Sequence, residues 1–178
     1  MKSKNIRALT LSAVMAALVC VSTMLIPIPS PATGGYVNMG DVCVLLCAFM
    51  LGPVYGPLTA GIGSALADLL AGYVQYMPGT LFIKAAVTLV AWLLFHLLRG
   101  LMPRKLSVLA RVLACMAGEA VMVLGYLLYE AFLLGYGAGA LGAVAGYLMQ
   151  GVVGVLGCGL LAEVFERNRF MKNWMKED

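Results

Sequence analysis

Apolar residues run along this chain in long blocks, and the few polar, Gly and Pro positions between them mark where each block ends. Read against the roughly 20 apolar residues that a helix needs to cross a bilayer, the pattern predicts spans at about 7–26, 41–52, 56–72, 79–99, 108–134 and 139–165. The second block is short for a crossing, so it is expected to lie steeply or re-enter, held by neighbouring helices rather than lipid. Gly52-Pro53-Val54-Tyr55-Gly56-Pro57 stops one helix and starts the next. The segment 27–40 (PIPSPATGGYVNMG) is too rich in Pro and Gly to be helical, and Asp41 stands where an N-cap for the second span belongs. The expected fold is therefore all-α: a single polytopic six-helix membrane bundle over residues 1–178.

Composition agrees with lipid as the main solvent. The chain has 178 residues, 62% hydrophobic and 11% charged, with a mean hydropathy of +0.96, whereas soluble domains carry roughly 25% charged residues. The net charge of +4 is explained by position rather than by a nucleic-acid partner. Lys2, Lys4 and Arg7 precede the first span. Arg99, Arg104, Lys105 and Arg111 flank the connection between the fourth and fifth. Arg167, Arg169, Lys172 and Lys176 follow the sixth. An even number of crossings places all three groups on one side, which the positive-inside rule makes cytoplasmic, with both termini. The N-terminal run lacks a small-x-small cleavage site and is read as an uncleaved first span. The five cysteines lie in apolar stretches without a CxxC pair, and with one His they predict neither a disulfide framework nor a metal site.

The opposite face receives loops at 27–40, 72–78 and 134–139, without Lys or Arg but with Tyr36, Asn38, Tyr73, Gln75, Tyr76 and Tyr136. Such a face suits a flat polar heterocycle, or forms the aromatic belt of a membrane interface. Just beneath it three ionisable residues are expected at similar depth: Asp68, Lys84 and Glu130. A charge within a span needs a partner, so Lys84 is expected to pair with Asp68 or Glu130, either as a brace or as part of a ligand site. Glu119, Tyr126 and Glu130 fall at i, i+7 and i+11, one face of a helix turned into the bundle. Glu119 is read as structural, His96 as interfacial, and Tyr147 and Gln150 as lining a central cavity or joining helices. Ser12, Ala13, Ala16 and Ala17 form a small-residue stripe on the first span, for packing within the bundle or for a partner subunit. No GxxxxGK[ST], GxSxG or HExxH pattern occurs, so an enzyme is not expected, and uptake needs an ion gradient or separate energising subunits. An inverted repeat, the mark of many stand-alone secondary transporters, is not evident.

Three blocks carry a family resemblance: GGYVNMGD (34–41), LLCAFMLGPVYGPLTAGIGSALADLLAGY (45–73) and YMPGTLFIKAAVTL (76–89). Together they resemble the S components, the substrate-binding subunits, of energy-coupling factor (ECF) vitamin transporters. The closest likeness is to the riboflavin-type branch, which also holds pyridoxine and hydroxymethylpyrimidine members. The resemblance implies a non-enzymatic cell-membrane protein without cofactor or metal that captures a vitamin from outside. It further implies docking on a transmembrane coupling protein and two ATPases, with Ser12, Ala13, Ala16 and Ala17 toward the coupling protein. Tyr36, Asn38, Asp41, Asp68, Tyr76, Lys84, Tyr126 and Glu130 are the expected substrate-binding residues. A pyridoxine- or hydroxymethylpyrimidine-like ligand is expected over riboflavin, because Trp92 and Trp174 both lie toward the cytoplasmic side and no large aromatic cradle is evident.

Overall fold

The computed structural model describes residues 2–25, 27–30, 32–103 and 106–167, with side chains described from residue 6 to residue 164 apart from the same gaps. Trp174, Arg104, Lys105, Arg169, Lys172 and Lys176 lie outside the described residues. Helix α1 (Lys2–Leu25) leads into a short antiparallel ribbon, β1 (Ile28–Pro29) with β2 (Tyr36–Val37). Helices α2 (Asp41–Leu70), α3 (Met77–Leu101) and α4 (Ser107–Leu128) follow. A π-helical turn (Tyr129–Leu133), a 3-10 turn (Gly137–Ala143) and α5 (Val144–Arg167) complete the described chain. Among the described residues, five helices are long and apolar enough to cross a membrane. Their outer faces stay apolar: Phe82 and Leu160 are each 72% exposed, a surface that suits lipid.

The second and third expected spans are joined in α2, whose helical geometry breaks at Gly52. There φ is 72° and ψ −168°, a combination that essentially only glycine adopts without strain. Pro53 then opens the next segment, where its missing N–H is harmless. The two segments fold back on one another. A Cβ on Gly56 would lie 2.8 Å from the carbonyl oxygen of Cys47, although nine residues of straight helix span about 13 Å. Asp41 and Asp68, at the two ends of α2, reach the same end of the bundle; a straight helix would hold them about 40 Å apart. The first segment spans about 16 Å, and most of it is buried (Val44, Leu45, Leu46, Cys47, Ala48, Met50, Leu51). It is thus the centre of the core, with α1, α3 and α5 packed on α2 and α4 closing against α3 and α5.

The bundle has two unlike ends. At one, Arg111 is 2% exposed and sits against the rings of Phe49 and Phe95, at 5.9 and 5.7 Å. The basic residue expected near this end of the fifth span is thus held between two aromatic rings rather than left on the surface. At the other end the ribbon folds inward. Ser30 N donates to Gly35 O at 2.8 Å, and Gly34 turns the chain with φ 64°. The segment expected to be non-helical, and by the resemblance to roof a ligand pocket, carries this short ribbon.

Backbone contacts this close leave no room for a side chain. Gly56→Ala and Gly61→Ala, whose Cβ atoms would meet Cys47 O at 2.8 Å and Leu81 O at 2.6 Å, are expected to destabilise the purified protein by about 1–3 kcal/mol. Gly159→Ala in α5 meets nothing within 4 Å and is expected to be neutral or slightly stabilising. Thermal unfolding in mild detergent reads the difference, and equal melting temperatures for the three variants would refute the folded-back packing of α2.

Candidate ligand site beneath the ribbon roof

The α3 helix carries Pro78 in its first turn and presents Thr80, Lys84 and Thr88 inward at helical spacing, all three buried. Lys84 is 2% exposed, and its ammonium pairs with Asp41 Oδ1, itself on a 1% exposed side chain. The expected partners were Asp68 and Glu130, and the correction follows from the folded-back α2. The N-cap position belongs to Gly40, which makes no side-chain cap bond, so the Asp41 carboxylate in the first turn is free to turn inward. Its second oxygen accepts from Gln150 Nε2 of α5 at 2.5 Å. Gln150 Oε1 accepts from the Asn38 backbone N–H at 2.9 Å, and Asn38 Oδ1 accepts from Gly40 N–H at 2.9 Å. One continuous polar chain thus runs from the roof to the membrane-buried lysine. In lipid, where no water answers an unpaired charge, such closure is obligatory.

Two further carboxylates hold the rim. Asp68 Oδ1 accepts from the Tyr36 hydroxyl of β2 at 2.7 Å. Glu130 Oε1 accepts from the Tyr76 and Tyr147 hydroxyls at 3.0 and 2.5 Å. The Tyr76 hydroxyl also lies 3.0 Å from the Thr33 carbonyl oxygen, a second acceptor sharing the same proton, which ties the roof down. Burial, together with the Asp68 carboxylate, pushes the Tyr36 hydroxyl above its ordinary range, so it stays a donor. Burial and Glu130 act likewise on Tyr76. The π-helical turn after α4 carries Glu130, which is fully buried. Such turns recur at functional sites because they re-aim a side chain.

Between these groups lies a small cavity, partly open to the outside. Four tyrosines line it: Tyr36, Tyr76, Tyr126 and Tyr147. Asn38, Asp68, Thr80 and Gln150 supply its polar wall. Tyr126 and Tyr147 stack at 5.3 Å and 20°, the Tyr126 hydroxyl lies 2.9 Å from Thr80 Oγ1, and the Lys84 ammonium sits 5.5 Å from the Tyr126 ring centre.

Of the residues expected to bind substrate, Tyr36, Asn38, Asp68, Tyr76 and Tyr126 line this cavity. Asp41 and Lys84 form the ion pair joined to its Gln150 wall, and Glu130 bonds two of its tyrosines. Tyr136 is 40% exposed and lines no part of it. His96 is exposed and stacks on Trp92 at 4.1 Å, far from this end. Thr80, Tyr147 and Gln150 complete the wall. Their signal lies in spacing: Thr80 sits one turn before Lys84, and Tyr147 and Gln150 share a face at i, i+3. Glu119 is 4% exposed beside Asp41, in a notch left by Gly151 and Gly154, with no hydrogen bond to either oxygen among the described residues. The small-residue stripe divides. Ala16 faces α2, where its carbonyl oxygen would meet a Cβ on Gly63 at 2.7 Å, and Ser12 is half-buried. Ala13 and Ala17 are exposed, flanked by exposed Val14, Leu18 and Val21.

Removing one partner of a buried ion pair leaves an uncompensated charge. Lys84→Met and Asp41→Asn are each expected to lower stability by about 3–5 kcal/mol. The double variant is expected to lose clearly less than the sum of the two. A denaturation cycle on the four proteins measures the coupling, and strict additivity would mean that the pair is not formed.

Comparison with known proteins gives a consistent set of relatives. Residues 3–167 match the family described as ECF-type riboflavin transporter, S component. The chain is 37% identical over 153 residues to the uncharacterized protein in the gap 3' region of Pyrococcus woesei, covering 84% of this chain and 95% of that one. It is 29% identical over 186 residues to the thiamine precursor transporter HmpT of Lactococcus lactis subsp. cremoris (strain MG1363), covering 99% of this chain and 98% of that one.

Proposed function

The chain belongs to the S-component family of ECF-type riboflavin transporters, and on that premise we propose that it captures a small single-ring vitamin or vitamin precursor, pyridoxine- or hydroxymethylpyrimidine-like, from outside the cell. As a member of this family it is a multi-pass plasma-membrane transport protein and not an enzyme. The observation that carries the ligand reading is the cavity beneath the ribbon roof, walled by four tyrosines and a buried carboxyl group. The name of the relative HmpT, aligned over almost the whole chain, supports a thiamine precursor. Riboflavin is the second reading, favoured by the description of the family itself; the ribbon would have to lift to admit it.

In this reading the two segments of α2 count separately, so the chain crosses six times with both termini cytoplasmic. The reversal at Gly52 and the split between the tyrosine end and the Arg111 end support this count. Tyr36, Asn38, Asp68, Tyr76 and Tyr126 touch the ligand, while Asp41, Lys84 and Glu130 hold the wall and roof. The ribbon opens to admit ligand and closes through Tyr36 and Tyr76. Release inward depends on a transmembrane coupling protein driven by two ATPases. The exposed Ala13–Ala17 face of α1 docks that protein, and Ser12 and Ala16 set the helix against α2.

Uptake into proteoliposomes tests the arrangement. Transport of the pyrimidine or pyridoxine ligand is expected only with the complete module and ATP. Ala17→Trp is expected to abolish transport while leaving ligand affinity within about twofold. Accumulation that persists without the ATPases and follows an ion gradient would establish stand-alone secondary transport instead. Stronger thermal stabilisation by riboflavin than by either smaller ligand would reverse the ligand assignment.

A further inference from the structure

The charges around the cavity do not balance. Lys84 is committed to Asp41, and no Lys or Arg is among the described residues that line the space. The one charged side chain in the lining is Asp68, 3% exposed. Its Oδ1 is held by Tyr36 at 2.7 Å, but its Oδ2 is buried without a hydrogen-bond partner among the described residues. Thr80 also interacts with the Asp68 carboxyl group, and its hydroxyl lies 2.9 Å from that of Tyr126. The titratable groups facing this carboxyl are Tyr36 from the roof with Tyr73 stacked on it at 4.5 Å, Lys84 from α3 and Tyr126 from α4. None of the tyrosines brings a positive charge. A buried carboxylate oxygen is costly when unpaired, and tyrosine faces attract cations. A cavity with one idle carboxylate oxygen, four tyrosine rings and no free cation is built to receive a positively charged ring.

We propose that the site binds its ligand as a protonated nitrogen heterocycle, whose ring N–H and adjacent amino N–H lie against Asp68 Oδ2. The inference rests on the small-heterocycle reading above and adds the charge state and anchoring residue. The proton comes from solvent: the ring-nitrogen lone pair takes it, the charge spreads over ring and amino nitrogens, and the carboxylate accepts both N–H groups. An aminopyrimidine has this amidine edge. A flavin or an oxopyrimidine presents carbonyl oxygens there, which would face the carboxylate with like polarity.

The test uses full-length protein in mild detergent with two probes, hydroxymethyl aminopyrimidine and the analogue carrying a carbonyl in place of the amino group. Titration calorimetry is expected to show the amino compound binding roughly 10- to 100-fold more tightly, the range of one hydrogen-bonded charge contact. Asp68→Asn keeps an acceptor for Tyr36 but not the charge, and is expected to erase that preference. Tyr36→Phe is expected to weaken both probes alike. Heteronuclear NMR of aminopyrimidine labelled at the ring nitrogen needs no variant and is expected to show that nitrogen protonated when bound. Tight binding of the aminopyrimidine with a neutral ring nitrogen, or equal affinity for both probes, overturns this inference while leaving the small-heterocycle reading intact. Binding of riboflavin alone overturns both.

Discussion

Everything at the tyrosine-rich end is arranged around a lysine ammonium buried at membrane depth. Lys84 has no water to fall back on, and its pairing with Asp41 is the condition under which α3 and the start of α2 can sit side by side. The pair has a structural consequence beyond itself. Asp41 Oδ2 is left facing α5, where Gln150 answers it, and the other end of the Gln150 amide captures the backbone just before α2. The position of the roof is therefore tied, bond by bond, to a charge pair in the core.

That tie constrains how the roof moves. The ribbon is attached at Tyr36 to Asp68, at Thr33 to Tyr76 and at Asn38 to Gln150. The first two attachments are hydroxyl contacts that a side-chain rotation breaks. The third is a backbone bond to an amide already engaged with Asp41. Opening by the Tyr36–Tyr76 side, hinged at 38–40, sacrifices the fewest charge-linked bonds. The glycines that face the ribbon fit this picture. A Cβ on Gly35 would strike the Tyr76 ring at 2.9 Å, and one on Gly146 would strike Val37 at 2.7 Å, so the closed roof lies flush on α5 and on the loop before α3.

Much of this was legible from residue order alone, and the parts that were not share a cause. Depth is a one-dimensional property, and counting residues from the loops assigns Lys84, Asp68 and Glu130 to the interior below the loops; all three are buried, as are Glu119 and Tyr126 on the face expected to turn inward. Partner choice is three-dimensional. Asp41 looked like a helix cap because capping is the local use of an aspartate at that point. Only the reversal at Gly52, which sets the first segment of α2 in the middle of the bundle, makes it the residue that meets Lys84. The same reversal explains why a segment too short to cross alone is among the most buried in the chain. The small stripe on α1 reads as one feature in sequence, yet successive positions diverge by about 100° on a helix. Ala16 consequently packs inward while Ala13 and Ala17 look out.

The division of labour among the four inward acids follows from what each finds opposite. Asp41 meets a lysine and an amide and becomes structural. Glu130 meets two tyrosine hydroxyls and becomes a clasp between α4, α5 and the loop before α3. Glu119 is notched against Gly151 and Gly154 of α5 beside Asp41, with no hydrogen bond to either oxygen among the described residues. Asp68 alone both lines the cavity and keeps an oxygen unengaged. A bundle that pairs the buried Lys84 with Asp41, which does not line the cavity, leaves the acid that does line it for something that arrives from outside. For that reason the ion pair and the ligand site are best understood as one electrostatic design: neutralising Asp41 internally is what makes Asp68 the remaining attraction for a positively charged ligand.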